Sequence, residues 1–252
     1  MQLKADLSGK RALVTGASSE GFGAHFARVL AANGAEVVVV ARRRDPLESL
    51  VDEIQKSGGA ALAVTADVSD QASVEAAISE AGPLDIVVNN AGVERSGSVL
   101  GLSEADYDYV MDINLKGVWL VATSAARQMR DRGQGGSIIN IASITGHRGM
   151  KGAAPYSVSK VGVLHMTRQL AQELARYGIR VNSISPGYFA TDLNREFLAS
   201  EAGETMRKRI AMRRFGDFPD LDGALLLLAS DASGFMTGSD IVVDGGHLLY
   251  SL

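Results

Sequence analysis

Ala12-Leu-Val-Thr-Gly16-Ala-Ser-Ser-Glu-Gly21-Phe-Gly23 reads as a strand, a glycine-rich turn and the start of a helix. The apolar and β-branched residues up to Thr15 run without alternation, as in a strand covered on both faces. From Phe22 the period changes, with Phe26, Val29 and Leu30 returning to one helical face. A strand that enters a helix through glycines presents free amide hydrogens and the positive end of the helix dipole at one point, which makes a cradle for a pyrophosphate. A lone glycine pattern is weak evidence, and a tight turn without a ligand is the competing reading. Here the turn opens a strand–helix–strand unit whose second strand, Val37 to Val40, ends about 25 residues further on, as a dinucleotide site requires. Gly16, Ser18, Ser19, Gly21, Phe22 and Gly23 are therefore assigned to cofactor binding.

Working outward, apolar runs rich in β-branched residues recur at Ala61 to Thr65, Ile86 to Val88, Ser137 to Ile141, Val181 to Ser185 and Ile241 to Val243, making seven predicted strands in all. Segments of helical period separate them, such as Leu47, Leu50, Val51 and Ile54. Parallel strands need crossover helices, so the expected fold is α/β: a doubly wound, Rossmann-type parallel seven-stranded sheet with helices on both faces. No repeat, low-complexity tract or linker divides the chain, and residues 1–252 read as one dinucleotide-binding and catalytic domain. Between Pro186 and Asp220 no clean period holds. This segment follows a strand end directly, where ligands bind in open α/β sheets, and residues 187–219 are read as a substrate lid, with a plain surface excursion as the alternative.

Composition narrows the function classes. Lys and Arg total 25 against 29 Asp and Glu, a formal charge of -4 without a long basic run, which argues against a nucleic-acid partner. The absence of cysteine excludes disulfides, thiolate nucleophiles, zinc–thiolate sites and iron–sulfur clusters. The longest apolar runs, Val37 to Ala41 and Ala224 to Ala229, are too short to span a membrane, and Met1 to Lys10 lacks a signal-peptide core. The expectation is a cytoplasmic protein with no membrane partner. His25, His147, His165 and His247 are too scattered for a metal cluster or triad, so no metal is assigned.

Tyr156 and Lys160 stand four apart near the start of a helix predicted from about Pro155 to Arg176, which puts them on one face one turn apart. A phenol with a pKa near ~10 is a poor proton carrier at neutral pH, and a neighbouring ammonium favours its phenolate. Ser143 closes the fifth strand, where its hydroxyl could share a substrate oxygen with Tyr156. Two donors on one oxygen would polarise a ketone for hydride attack. Taken singly, a surface Tyr–Lys pair or a serine ending a strand is the plainer reading; taken jointly, behind the glycine turn, they indicate an oxidoreductase.

The chain resembles the short-chain dehydrogenase/reductase family. Its Thr15-Gly16 opening is similar to the family's Thr-Gly, three residues, Gly, any residue, Gly motif, with four residues instead of three before Gly21 and Glu20 as the last of them. By that resemblance Asp67 and Val68 contact adenine; Asn89, Asn90, Ala91 and Gly92 stabilise the sheet and the cofactor floor. Pro186 and Gly187 wall the nicotinamide, and Thr191 binds its carboxamide. The same resemblance implies that Ser143 orients the carbonyl, Tyr156 transfers the proton, and Lys160 holds the nicotinamide ribose while tuning Tyr156. Asn114 looks like a fourth catalytic member, positioning a water that relays protons to Lys160; a buried Asn bonded to backbone is its plainer reading.

The function expected is therefore NAD(P)-dependent interconversion of a secondary alcohol and a ketone, a carbonyl reductase in the reducing direction. A 3-oxoacyl-thioester reductase, a non-catalytic dinucleotide-binding regulator, and an isomerase or dehydratase with retained cofactor are the alternatives; an enoyl reductase of this family spaces its Tyr and Lys more widely. After the second strand Ala41 is followed by Arg42, Arg43 and Arg44 where an acidic ribose ligand would select NAD. NADP is favoured, with Arg42 on its phosphate, and NAD is the alternative, since Glu20 stands where NADP-preferring relatives carry a basic residue. A solvated helix entry is the bland reading of the three arginines. Trp119 and its apolar neighbours suit a core or interface helix, and the tail carries Leu248, Leu249, Tyr250 and Leu252. The resemblance implies a homotetramer with that tail against a neighbour.

Overall fold

Val37 to Val40 are at most 2% exposed in the computed structural model, which describes residues 5–190 and 198–249. The run belongs to β2 (Glu36–Ala41), flanked by β1 (Arg11–Thr15) and β3 (Ala60–Thr65). With β4 (Ile86–Asn89), β5 (Gly136–Ile141), β6 (Ile179–Pro186) and β7 (Asp240–Val243) they form one seven-stranded sheet in the order β3-β2-β1-β4-β5-β6-β7. All six pairings are parallel. Every predicted strand is present, lengthened by one or two residues at its ends where pairing outlasts the apolar run. The strand order reverses between β1 and β4, which opens a crevice beyond their carboxyl ends.

Alternate residues of each strand enter opposite cores. Val14, Val37, Val39 and Ile86 meet Phe26 and Leu30 of α1 (Phe22–Ala32), Leu47 of α2 (Arg44–Lys56) and, across the sheet, Leu225. Leu13, Val38, Val40 and Ile138 meet Ile78 of α3 (Gln71–Ala81), and Ala125 and Met129 further along. The two-faced cover thins at the edges: Leu62 of β3 and Val242 of β7 are 38% and 39% exposed.

The sequence suggests one long helix from Glu104 to Arg132, but the structure divides it. α4 (Glu104–Met111) passes through a five-residue π turn, Asp112–Lys116, into α5 (Gly117–Arg132). Such a widened turn redirects side chains and recurs at functional sites; here it carries Asn114. α6 (Ala154–Leu174) starts with Pro155 in its first turn, where the missing N–H costs nothing. The described part of the region read as a lid, residues 187–190 and 198–219, is more ordered than its sequence suggests. Its ends are joined by Gly216 N–H donating to Tyr188 O and Ala190 N–H donating to Gly216 O. It contains α7 (Glu201–Arg207), while Phe189 and Ile210 are 3% and 1% exposed. α8 (Asp222–Ala229) follows. Among the described residues no helix is long and apolar enough to cross a membrane.

Candidate active site

The carboxyl ends of β1 and β4 are tied together by Thr15 and Asn90. The Thr15 hydroxyl accepts from the amides of Asn90 and Ala91, both at 3.0 Å, and Asn90 Nδ2 donates to Thr15 O at 2.9 Å. This leaves the chain at Gly16 so close to β4 that a Cβ there would lie 2.7 Å from Ala91 Cα, on a backbone with φ of +73°. At Gly23 a Cβ would lie 2.4 Å from Gly16 O. These two glycines are required by close approach. Gly21 is different: it precedes α1 with extended backbone, its Cβ would meet nothing nearer than 3.9 Å, and it stands behind the cleft-lining residues Ser19 and Phe22. The additional residue is absorbed in the turn before α1, and Glu20 leaves the phosphate cradle altogether. Arg28 holds it at 2.9 Å while also binding Glu53 at 2.7 Å, and this contact lowers the Glu20 carboxyl below its usual range.

A cleft of about 1190 Å³ runs past this loop. Gly16, Ser18, Ser19, Phe22 and Gly23 line it, and at one end so do Arg42, Asp67 and Val68. Asp67 is fixed by the amide and hydroxyl of Ser69, at 2.9 and 2.6 Å, which lower its carboxyl together with the charge of Arg42. Arg43, which the sequence reading names in the arginine run without a contact of its own, also lines the cleft and donates to Ser18 O at 2.7 Å, joining β2 to the glycine loop. Arg44 turns away to Glu48. The run of three arginines thus splits into two cleft residues and one surface pair.

At the other end Ser143, Tyr156 and Lys160 line the same cleft with Asn90, Ala91, Gly92, Pro186 and Gly187. Ser143 follows β5 in extended conformation; its Oγ accepts from Thr145 N–H at 3.1 Å and is hydrogen-bonded to Tyr156. Lys160 is buried, 4% exposed, with Nζ donating to Ile141 O at 2.8 Å and lying 5.4 Å from the centre of the Tyr156 ring. The expected lowering of the Tyr156 pKa by Lys160 is not what the structure gives. Desolvation against the cleft wall pushes the phenol up to about 12, Ser143 opposes this, and the carboxylate of Glu94 adds to it. Desolvation also pushes Lys160 down to about 8. The one-turn spacing places the amine beside the ring, not on its hydroxyl.

Asn114 is fully buried behind this wall. Its Nδ2 donates to Val93 O at 2.8 Å and to Ser159 Oγ at 3.2 Å, and its Oδ1 accepts from Val93 N–H at 2.8 Å. These bonds make Asn114 the clamp of the strand end beyond β4. It stays close to the centre: a Cβ on Gly92 would lie 3.5 Å from Asn114 Oδ1 and 3.8 Å from Lys160 Nζ. Asn89 lies beneath, donating to Asn140 Oδ1 at 2.9 Å. Thr191 lies outside the described residues. His147 is off the cleft, its Nε2 2.8 Å from Asp240 Oδ2 and 3.3 Å from Ser185 Oγ, pinning the Ser143–Tyr156 connection to β6 and β7. The cleft also includes Glu94, Arg95 and Tyr109, which sequence reasoning missed. Their signal was positional, since Glu94 and Arg95 directly follow the strand end at Asn89-Asn-Ala-Gly92-Val93.

In chemical terms the cleft joins a cationic end and a glycine-lined middle to two hydroxyls backed by a buried amine. A family model described as enoyl-(acyl carrier protein) reductase matches residues 16–247. The oxidoreductase UcpA of Salmonella typhimurium is 41% identical over 96% of both chains. The 3-oxoacyl-(acyl-carrier-protein) reductase FabG of Staphylococcus aureus is 40% identical over 94% of this chain and 97% of its own. Among solved structures, a gluconate 5-dehydrogenase from Burkholderia cenocepacia in complex with NADP and tartrate superposes with a TM-score of 0.93 at 38% identity, covering 98% of each chain.

Proposed function

The chain belongs to the short-chain dehydrogenase/reductase family, and we propose from that premise that it interconverts a secondary alcohol and a ketone using NADP. The observation that carries this reading is the convergence of Ser143, Tyr156 and Lys160 on the cleft that the glycine loop opens. The residues present fit the cofactor. The cleft is large enough for a dinucleotide with a small substrate, Ser18, Ser19 and the start of α1 face the pyrophosphate position, and Arg42 and Arg43 offer the cationic donors that a 2′-phosphate needs. The gluconate 5-dehydrogenase was crystallised with NADP, which supports the same preference here. When bound, the nicotinamide supplies or accepts the hydride.

The chain's own residues handle the proton. Tyr156, kept neutral by its raised pKa, is a hydrogen-bond and proton donor at neutral pH; Ser143 donates to the same substrate oxygen and shares its developing charge. Lys160, buried beside the ring, would hold the nicotinamide ribose. Asn114 keeps Val93 and Gly92 in place around this centre. Pro186 and Gly187 close the nicotinamide wall, with Gly187 N–H bonded to Val243 O at 2.8 Å, and Thr191 is proposed to complete it. Residues 187–219 serve as the substrate lid, and the protein works as a homotetramer. The Staphylococcus aureus reductase makes 3-oxoacyl thioesters the second substrate class to test.

Carbonyls and alcohols assayed by nicotinamide absorbance with both cofactors test the reading. Tyr156→Phe should retain NADPH binding and lose about 100- to 10,000-fold in turnover. Turnover within about twofold of wild type in that variant would overturn the proton-transfer assignment.

A further inference from the structure

Glu94 is the first carboxylate beyond the end of β4, and its backbone has little freedom. Asn90 is bonded to Thr15 and Gly16, and Val93 is held through both its N–H and its carbonyl by Asn114. The chain therefore presents residue 94 at a fixed point in the lining of the cleft that also holds Ser143 and Tyr156. Its neighbour does not neutralise it: Arg95 lies 3.6 Å from Asp106 and 4.6 Å from the centre of the Tyr109 ring. Glu94 Oε1 accepts from Ser96 Oγ at 2.7 Å, and among the described residues no cation pairs with the carboxylate. Its charge reaches the hydroxyls of both Tyr156 and Tyr188.

Accepting on the alcohol–ketone reading above, we propose that Glu94 is a specificity residue that accepts a hydrogen bond from a substrate hydroxyl next to the reacting carbon, so that the substrate is a polyhydroxylated compound with its uncharged end at this wall. A carboxylate has only acceptors to offer, and a vicinal hydroxyl, the donor that polyhydroxylated ketones carry, satisfies it while the carbonyl oxygen stays on Ser143 and Tyr156. An acyl chain would desolvate the charge without replacing its hydrogen bonds, and an acidic group placed here would be repelled. The inference separates the two substrate classes that the relatives represent.

The test compares hydroxyacetone, acetone and a 3-oxoacyl thioester as substrates of the wild type and of Glu94→Gln, Glu94→Ala and Glu94→Asp, with NADPH binding by fluorescence as the check on folding. The kcat/KM ratio of hydroxyacetone to acetone cancels changes common to both ketones. Hydrogen bonds to charged groups imply a fall in that ratio of about 10- to 100-fold in Glu94→Gln, expressed in KM, with partial recovery in Glu94→Asp. A ratio changed less than about twofold in Glu94→Gln, or a wild type that turns over the thioester in preference to hydroxyacetone, overturns the inference and leaves the alcohol–ketone reading standing. Absence of turnover with every carbonyl overturns that reading and the inference with it.

Discussion

Tyr156 and Lys160 are displaced in opposite directions by the same burial, the phenol up to about 12 and the amine down to about 8. A group raised above its ordinary value is protonated throughout neutral pH, so ketone reduction finds its donor ready, whereas alcohol oxidation needs the scarce phenolate. Oxidation kcat/KM should therefore climb with pH, close to tenfold per unit from about pH 6 to about pH 8; reduction should stay level over that range. A level oxidation profile over that range contradicts Tyr156 as the base. At the other end of the cleft the charges make a second prediction. Arg42→Ala should raise the NADPH Michaelis constant by about tenfold or more while changing that for NADH little, as expected for a charge-assisted contact to a phosphate, whereas Arg43→Ala, which also frees the glycine loop at Ser18, should raise both. Glu20→Gln should leave both constants within about twofold, because Arg28 already neutralises Glu20 outside the cleft. A wild type that prefers NADH, or a Glu20→Gln variant with strongly improved NADPH affinity, would reverse the cofactor assignment.

The turn between β1 and α1 shows what local pattern encodes and what it omits. A Cβ at Gly23 meets Gly16 O at 2.4 Å and Asn90 Nδ2 at 2.7 Å, both fixed by the tie between β1 and β4. Gly23→Ala should cost about 1–3 kcal/mol by overpacking, lower Tm by several degrees and weaken NADPH binding. Gly21→Ser should be neutral to within about 0.5 kcal/mol, since that position is extended, open and at the N-cap, where serine is favoured. Equal losses of Tm in the two variants would contradict this distinction. The sequence writes both as glycines of one motif, and the return of the turn onto Gly16 O together with the approach of Asn90, some seventy residues away, separates them. The strands were legible because burial on both faces imposes a continuous apolar run, and Tyr156 with Lys160 was legible because a helix turns a spacing of four into adjacency. Arg43 and the π turn at Asp112–Lys116 were not legible, because their roles depend on a partner distant in sequence: Ser18 O for Arg43, and Val93 for Asn114 within the turn. Glu94 was hidden for a related reason, as an exposed glutamate after a strand has no local feature that separates it from solvated charge.

At the scale of the molecule the apolar surface is unevenly distributed. Trp119 on α5 and Val158 and Val161 on α6 are 47%, 51% and 51% exposed, although these helices also supply the buried residues that cover the sheet. A second set lies near the open edge of the sheet, where Val242 of β7, Phe235 before it and Leu249 after it are 39%, 105% and 84% exposed. The tail residues Tyr250 and Leu252, which the sequence adds to this patch, lie outside the described residues. Scattered apolar side chains are ordinary on a surface, but patches on adjoining helices and at an uncovered sheet edge are suited to burial against other copies. Two separate self-complementary faces generate a tetramer with dihedral symmetry, because each face closes by its own twofold axis. Light scattering at micromolar concentration should give a tetramer mass for the wild type. Charges placed on one patch, as in Trp119→Glu with Val161→Glu, or on the other, as in Phe235→Glu, should each leave dimers, and the combination should leave monomers. A monomeric wild type would remove the tetramer proposal. A wild-type tetramer that all three variants preserve would show that neither patch is the interface.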